Sequence, residues 1–495
     1  MKIRFLLLLL LIITFYGCVN KLEVPNTTNP GIENVYADGD AVYGAAAGLF
    51  YSWYISAQTH SWSPQMSMIT MADQGTSSWL NSGMYDLSSE PRQAFNNTET
   101  YRYAYIFEHY WERLYATLTT ANEILQVIHN GMQIGELDEN GIGKDTKMVE
   151  SFSYFIQGLC LGYLGLVYDK AFVITDKTAD PVSVQPQPYA QVIDSAIHSL
   201  QTCIDIAQNN TFTIPDDWIN GKTYTNTELV QLAYSYMARF LIYKPRNKQE
   251  NDQNDWQTIL DYANHGITSD FQIYMDNVNW KNWVYHYTYE RDDWVRVDAR
   301  IIHLMDPNYP WHLDDGTDPG IASSDDARLG TDFVHTSTCP FKPERGYYHF
   351  SYYLYKRLHY SFSHPDWFPE FYFNELQLIK AEALVHLGRL PEAINIVNKS
   401  SRVTRGHLDP LPSTATKQQI LDAIFYERDI ELFVAGFAND YFDMRRRDML
   451  QKGTMLHFPI PAKELDVMGM PLYTFGGVEN ADGINTSNGG WFPEN

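Results

Sequence analysis

The 495-residue sequence predicts a mainly α-helical protein, a scaffold of tetratricopeptide-like helical hairpins that carries long irregular loops and a few short strands. Three observations lead to this class. Apolar residues recur at helical spacing in many segments, a short turn joins two such helices near residue 388, and two segments (roughly 56–98 and 274–370) lack sustained periodicity. Because long stretches without regular structure are often functional, we expect a ligand to meet these two loops.

The hairpin near residue 388 has clear local signals. The apolar face of its first helix consists of Tyr372, Leu376, Ile379, Ala383 and Leu387. Gly388 follows where a helix C-cap favours a left-handed φ, and Pro391 falls where a second helix would begin. An ordinary helical hairpin has the same spacing, so the tetratricopeptide interpretation is one of two alternatives at this point.

Opposite charges cluster on the next helix and just after it. Thr416 and Gln419 have the spacing of a capping box at its start, and Glu427 and Glu431, four residues apart, share one of its faces. Buried charges need partners, so we predict that these groups clamp the fold rather than perform catalysis. The predicted clamp comprises Glu427, Arg428, Glu431, Asp443, Arg445 and Arg446.

A series of short motifs in this part of the chain resembles the SusD/RagB family, outer-membrane nutrient-binding lipoproteins of Bacteroidetes. In order, the motifs are Ala381-Glu382-Ala383, Leu387-Gly388, Glu392-Ala393, Glu427-Arg428 with Glu431-Leu432, Phe442-Asp443 with Arg445-Arg446, and Phe458-Pro459-Ile460-Pro461. Asp298-Ala299-Arg300 resembles the family's Asp-x-Arg signature. The resemblance implies a non-catalytic capture role and, as partner, a SusC-like TonB-dependent outer-membrane transporter.

The N-terminus has the layout of a secretory signal peptide over residues 1–17, with Lys2 and Arg4 ahead of an apolar run too short to span a bilayer. Cys18 follows directly and resembles a bacterial lipoprotein processing site. Cys18 is therefore the predicted lipidation site, and the predicted location is the outer membrane, facing the cell exterior. A plain signal peptide with an incidental cysteine is the alternative.

The remainder, residues 18–495, is predicted to form one domain because no linker or low-complexity tract divides it. Its helical scaffold covers roughly 39–270 and 370–450. The sequence holds 60 acidic against 36 basic residues and has a net charge of −24, which disfavours nucleic acid as a partner. No CxxC or HxxxH spacing, phosphate-binding glycine loop or nucleophile elbow occurs, so we assign no catalytic residue, metal ligand or cofactor.

Aromatic residues make up 15% of the sequence, and tyrosine is the most frequent. Their flat apolar rings suit a surface that holds sugars or peptides, although most must pack in the helical core. The predicted ligand-binding residues are Trp62 and Trp79 in the first loop and Trp280, Trp283, Tyr285, Tyr287 and Trp294 in the second. Trp311, Tyr347 and Tyr348 are weaker candidates.

Within the second loop, Tyr285, Tyr287 and Tyr289 alternate with polar residues, which predicts a strand with one aromatic face. Such a strand either covers the helical core or presents a platform to a ligand, with the charged run 291–293 as its hydrogen-bonding neighbours.

Capture of an extracellular nutrient and its delivery to the transporter is the function that these features predict. An oligosaccharide is the expected ligand, and a peptide is the alternative. A secreted glycoside hydrolase would need two carboxylates that flank a cleft, and no sequence context singles out such a pair. A purely structural subunit for transporter assembly is the third alternative.

Overall fold

The computed structural model describes most of the chain after the predicted leader. The described residues are 36–58, 62–291, 293–340, 342–345, 349–481 and 485–491. The predicted signal peptide (1–17), the predicted lipidation site Cys18 and the weaker candidates Tyr347 and Tyr348 lie outside them. Among the described residues, no helix is both long and apolar enough to cross a bilayer.

The fold is mainly helical, as predicted. Numbered in chain order, the α-helices are α1 (Gly39–Ala47), α2 (Leu49–Gln58), α3 (Gln65–Met71), α4 (Met84–Ser88), α5 (Ala104–His129), α6 (Thr146–Val167), α7 (Tyr189–Gln208), α8 (Asn226–Tyr243), α9 (Lys248–Asp252), α10 (Trp256–His265), α11 (Trp283–Tyr285), α12 (Ala299–Met305), α13 (Arg328–Thr331), α14 (Phe373–His386), α15 (Leu390–Val397), α16 (Ser401–Thr404), α17 (Lys417–Ile430), α18 (Asn439–Arg446) and α19 (Ala462–Val467).

Short strands pair two by two in antiparallel order. The pairs are β1 (Gly75–Thr76) with β7 (Arg296–Val297), β2 (Lys170–Ala171) with β3 (Gln187–Pro188), β4 (Thr213–Ile214) with β5 (Tyr224–Thr225), β6 (Phe271–Met275) with β10 (Asp366–Phe371), and β8 (Phe333–His335) with β9 (Tyr353–Tyr355). The first of these pairs matters most for the site, because it joins the two predicted loops.

The core is built around α6, on which nearly every side chain is buried. This helix packs against α5, α7 and α8. Its glycines permit a close approach to α7, since a Cβ at Gly158 would lie 2.6 Å from Leu200 Cγ and one at Gly165 would lie 2.6 Å from Ile193 Cγ1.

The predicted hairpin is formed by α14 and α15. Gly388 has a left-handed φ of +76°, and Pro391 lies in the first turn of α15. α17 begins at the predicted capping box, in which the Thr416 side chain accepts from the Gln419 backbone N–H and the Gln419 side chain accepts from that of Thr416. Because α14 also packs against α10 and α17, the hairpins stack as a tetratricopeptide-like scaffold.

The first predicted loop contains more regular structure than expected. α2 continues to Gln58, and both α3 and α4 fall inside the segment. Every residue of α3 is buried. A helix buried on all sides has no apolar–polar alternation, so the sequence gives no periodic signal for it.

The strand predicted for Tyr285, Tyr287 and Tyr289 is wrong. The chain forms α11 and continues as a π-helical turn over His286–Glu290. The Asn282 side chain starts this segment by accepting a hydrogen bond from the Tyr285 backbone N–H at 2.8 Å. Alternation of polar and aromatic residues was therefore a misleading signal, because the helical turn divides the three tyrosines between the core and the surface.

His386, at the end of α14, provides a test of the packing between hairpins. Its ring lies flat on Trp256 of α10, with 3.9 Å between ring centroids. Burial lowers the pKa of His386 to about 4, against a smaller opposing effect of Glu382.

The unfolded chain takes up a proton on this histidine near pH 6.5, whereas the folded chain does so only near pH 4. The free energy of unfolding should therefore fall as the pH decreases from about 6.5 to about 4. His386→Phe keeps a ring that can stack on Trp256 but cannot take up a proton. The variant should therefore lack this decrease in the free energy of unfolding between about pH 6.5 and pH 4. Urea unfolding of both proteins at several pH values measures it, and parallel profiles over that range would contradict the prediction.

Candidate functional site

Three half-buried aromatic rings stack where the two predicted loops meet. The rings of Trp283 and Tyr287 have centroids 5.8 Å apart and planes inclined by 15°. Those of Tyr287 and Trp294 are 4.2 Å apart and inclined by 22°. We call these three residues the aromatic patch. Since each ring is only partly buried, part of each is open to solvent.

The local fold explains how distant residues form the patch. Trp283 and Tyr287, four positions apart, come onto one side of the helical turn that replaces the predicted strand. β7 pairs with β1, with Thr76 opposite Arg296, and the Ser77 hydroxyl donates to the Trp294 carbonyl at 2.7 Å. This pairing anchors the first loop beside Trp294, as the prediction of a site between the two loops requires.

Polar groups border the patch. Arg291 and Asp293 form an exposed ion pair at 2.7 Å, and the Arg291 guanidinium lies 5.6 Å from the Trp294 ring centroid. Hydrogen bonding to Arg291, together with its charge, lowers the pKa of Asp293, so this carboxylate accepts hydrogen bonds at neutral pH. Trp79 joins the border by donating its Nε1–H to the Asp293 carbonyl at 2.5 Å.

The other predicted ligand-binding residues lie elsewhere. Trp280 is only 6% exposed and packs against Phe50 and Tyr51, and Tyr285 is 3% exposed and packs against Phe368. Neither ring presents a face to solvent. Trp62 is 42% exposed, and its ring meets His109 of α5 edge-on, with centroids 4.7 Å apart.

A cavity of about 670 Å³ lies between α9, α12, α17 and α18. Its aromatic lining consists of Trp311, Phe425, Tyr426 and Trp491. Ligand pockets commonly have volumes of about 300–1,000 Å³, so this groove is a second place where a ligand fits. Its charged groups pair largely with one another or with close neighbours, as in Lys248–Asp252 at 2.6 Å, Arg300–Asp429 at 3.0 Å and Arg447–Asp443 at 2.7 Å.

The charged residues predicted as a clamp are buried and paired. Arg446 lies 2.5 Å from both Glu382 and Asp443, and Arg428 lies 3.0 Å from Glu382. Burial opposes ionisation of Asp443, but the positive charges of Arg446, Arg447 and Arg428 outweigh it and lower the pKa of Asp443.

The remaining members of the predicted clamp join segments that are far apart in sequence. Glu427 pairs with Arg328 at 2.7 Å, and Glu431 pairs with Arg405, also at 2.7 Å. Arg445 donates to three backbone carbonyls, those of Leu166, Tyr243 and Leu456. These contacts support the proposal that the cluster is structural, since a catalytic acid must reach a substrate.

Metal-binding side chains come together at Glu90, His312 and His349. No spacing in the sequence reveals this group, because its members are far apart along the chain. Burial acts to lower the pKa of His349, but Asp298, Glu90 and Asp73 outweigh it and raise that pKa to about 9.

The fold and the patch define a class of protein, a tetratricopeptide-like helical scaffold with an aromatic surface on its loops. Residues 341–469 match the model of the SusD family. No curated protein matches the chain by sequence.

Three solved structures with a similar fold come from Bacteroides species. A SusD superfamily protein from Bacteroides vulgatus is 15% identical over 87% of this chain and 97% of its own, with a TM-score of 0.59. A SusD-like carbohydrate binding protein from Bacteroides fragilis is 14% identical over 83% and 87%, with a TM-score of 0.57. Surface glycan-binding protein A from Bacteroides uniformis is 14% identical over 86% and 97%, with a TM-score of 0.56.

At these identities the solved structures show a common fold. Together with the C-terminal match, they confirm the resemblance drawn from the sequence motifs. Residues 341–469 match the SusD family model, and the described chain shares the fold of the solved SusD superfamily structures.

Proposed function

We propose that this protein captures an extracellular oligosaccharide without cleaving it and passes it to a SusC-like TonB-dependent outer-membrane transporter. The observation that carries the proposal is the aromatic patch, three stacked and partly exposed rings at the junction of two loops. Two proteins of similar fold are a SusD-like carbohydrate binding protein and a surface glycan-binding protein.

The patch offers the two kinds of contact that a sugar needs. The partly exposed rings provide apolar area for the C–H faces of a pyranose, while Arg291 and Asp293 supply donors and acceptors for hydroxyl groups. Each ring contact contributes about 1 kcal/mol beyond its area. Because a millimolar Kd already needs about −4 kcal/mol, several rings must act together, and the resulting affinity suits a carrier that has to release its cargo.

We place the ligand on the patch rather than in the groove because of how their polar groups are used. In the groove, the arginines form ion pairs that are largely buried, Arg300 with Asp429 and Arg447 with Asp443. A neutral sugar would have to compete with those pairs. At the patch, Arg291 and Asp293 form a solvent-exposed ion pair, and exposed pairs of this kind contribute little free energy, so a sugar hydroxyl can replace one of its contacts at low cost.

The membrane anchor and the transporter complete this proposal. Lipidation at Cys18 would hold the protein at the outer membrane, and the mature chain would then cover the transporter from the cell exterior. Pull-down of the full-length protein from detergent-solubilised membranes, with Cys18→Ala as the comparison, tests both parts. Loss of membrane association in the variant and recovery of a TonB-dependent transporter with the wild type are the expected results.

Calorimetric titration with a panel of oligosaccharides (α-glucans, β-glucans, fructans, mannans and xylans) and short peptides tests the ligand site. For any ligand that binds, Trp294→Ala should weaken affinity at least about tenfold, since the ring contact is lost. Trp294→Phe keeps a flat ring and should retain most of the affinity. This second variant keeps the test decisive if the alanine variant folds poorly.

Trp367→Ala is the matched control, because Trp367 is also a partly exposed tryptophan (36%) but lies on β10, where it contacts Tyr274. Its affinity should equal that of the wild type. If Trp311→Ala in the groove abolishes binding while Trp294→Ala does not, the ligand lies in the groove and the patch assignment is wrong. Release of shortened sugars would instead support the hydrolase alternative.

A further inference from the structure

Three metal-binding side chains from separate parts of the chain converge beside the first turn of α12. Glu90 follows α4, His312 lies in the loop after α12, and His349 precedes β9. One ligand atom from each lies within 4.8 Å of the other two. The closest pair, Glu90 Oε1 and His349 Nε2, is 2.8 Å apart.

The two imidazole rings have the spacing that one tetrahedral ion imposes. With Zn–N bonds of about 2.0–2.1 Å, two imidazoles on one zinc ion have ring centres about 5 Å apart. The rings of His312 and His349 have centroids 5.5 Å apart and planes inclined by 73°. Only small side-chain rotations are therefore needed to bring both rings and the Glu90 carboxylate around one ion.

Both histidines also have carboxylates at their other ring nitrogen. His312 Nδ1 lies 2.8 Å from Asp314 Oδ1. His349 Nδ1 lies 3.7 Å from Asp298 Oδ1 and 3.9 Å from Asp73 Oδ1. Metal-ligating histidines almost always hydrogen-bond a carboxylate or carbonyl, as His312 does here, and this bond fixes the ring and its tautomer. The carboxylates beside His349 lie beyond hydrogen-bond distance and act through their charge. We accordingly assign Nε2 of His312 as its metal-binding nitrogen, and Nε2 of His349 because that atom faces the Glu90 carboxylate.

The position of His349 is fixed by the backbone. Its carbonyl accepts a hydrogen bond from Ala299 N–H at 2.7 Å, and the next residue, Phe350, bridges to Asp298. Because Asp298 caps the first turn of α12, the ring is held next to its carboxylate partner. Glu90 and His312 are less constrained, and each side chain is 14% exposed, so an ion can enter from their side.

We propose that Glu90, His312 and His349 bind one Zn²⁺ ion, with water in the fourth position. Two imidazoles and one carboxylate form a donor set that zinc prefers, whereas Ca²⁺ takes six to eight oxygen ligands. The ion would join the segments after α4, after α12 and before β9. This site is independent of the aromatic patch and of the oligosaccharide proposed to bind there.

Titration of the untagged, chelator-treated full-length protein with ZnCl₂ by calorimetry tests the site. We expect one Zn²⁺ per chain, a rise in the melting temperature with zinc, and no competition by excess CaCl₂. Co²⁺ in place of zinc should give the intense visible absorption of a tetrahedral complex. His312→Ala and Glu90→Gln should each weaken binding at least tenfold, and Asp314→Asn should weaken it about tenfold through the orienting carboxylate.

The matched control is His335→Ala, which removes a histidine that also pairs with a carboxylate (Asp318, 3.1 Å) but has no second histidine in the group. Zinc binding by this variant should equal that of the wild type. Equal binding by His312→Ala and the wild type would place the ion elsewhere and overturn the proposal. Absence of stoichiometric binding would overturn it too, and the cluster would then be an ion pair between the His349 imidazolium and its carboxylates.

Discussion

Arg446→Met should lower the free energy of unfolding by about 3–5 kcal/mol, the range measured when one partner of a buried ion pair is removed. Arg446 is fully buried between Glu382 and Asp443, 2.5 Å from each. Methionine fills similar space but removes the closest cation of both buried carboxylates, so Glu382 keeps only Arg428 at 3.0 Å and Asp443 depends on Arg447 at 2.7 Å. Urea denaturation followed by circular dichroism measures the loss.

Arg389→Met is the matched control. Arg389 also pairs with a carboxylate three residues away, Glu392 at 2.6 Å, but both side chains are exposed. Surface ion pairs of this kind contribute little to the free energy of unfolding, so the control should unfold at the same urea concentration as the wild type. Equal stability of Arg446→Met and Arg389→Met would show that the buried network does not clamp the fold.

Gly162→Ala should destabilise the protein by about 1–3 kcal/mol, the usual cost of overpacking a filled core. Gly162 lies on α6 against α8, and a Cβ there would fall well inside contact distance of the Phe240 ring carbons. The Phe240 ring is itself fully buried, so it cannot swing into solvent to make room. Alanine normally favours a helix over glycine, and the packing cost must exceed that gain.

Gly44→Ala tests the same substitution without the contact. Gly44 lies within α1, and a Cβ there would meet no atom within 4 Å. Stability should rise by up to about 1 kcal/mol through helix propensity alone. Chemical denaturation of both variants separates the two effects. A stabilised Gly162→Ala would mean that α6 and α8 are less closely packed than the glycine indicates.

The scaffold was predictable because its signals are local. Apolar spacing, the left-handed Gly388 and the Thr416–Gln419 capping box each act within a few residues of the chain. The buried charges were predictable in kind, since a carboxylate pair next to an arginine cluster needs partners. Their partners Arg328 and Arg405 were not, because they come from distant segments.

The site was only partly predictable. Tryptophans in polar loops pointed to the segments in which Trp283, Tyr287 and Trp294 stack, and ligand binding by these rings stays a prediction. The strand prediction failed because alternation in a short aromatic segment does not distinguish a strand from a tight helical turn. Trp280 and Tyr285 have the same sequence context as their exposed neighbours, and only the packing of α2 and β10 against them decides their burial.

The sequence indicated the groove only through the weaker candidate Trp311, which lines it, and gave no signal for the histidine cluster. The groove is lined from six or more separate segments. The cluster joins Glu90, His312 and His349, whose spacing matches no metal motif. Such sites become visible only when the fold brings distant residues together.

The most direct test of passive capture is a mass balance on the bound sugar. A ligand found by calorimetry is incubated for days with an equimolar amount of pure full-length protein and then analysed by chromatography and mass spectrometry. Quantitative recovery of the unaltered oligosaccharide, with the Trp294→Ala variant failing to retain it in equilibrium dialysis, is the predicted result. Shorter products that accumulate with time, or equal retention by the variant, would contradict capture at the aromatic patch.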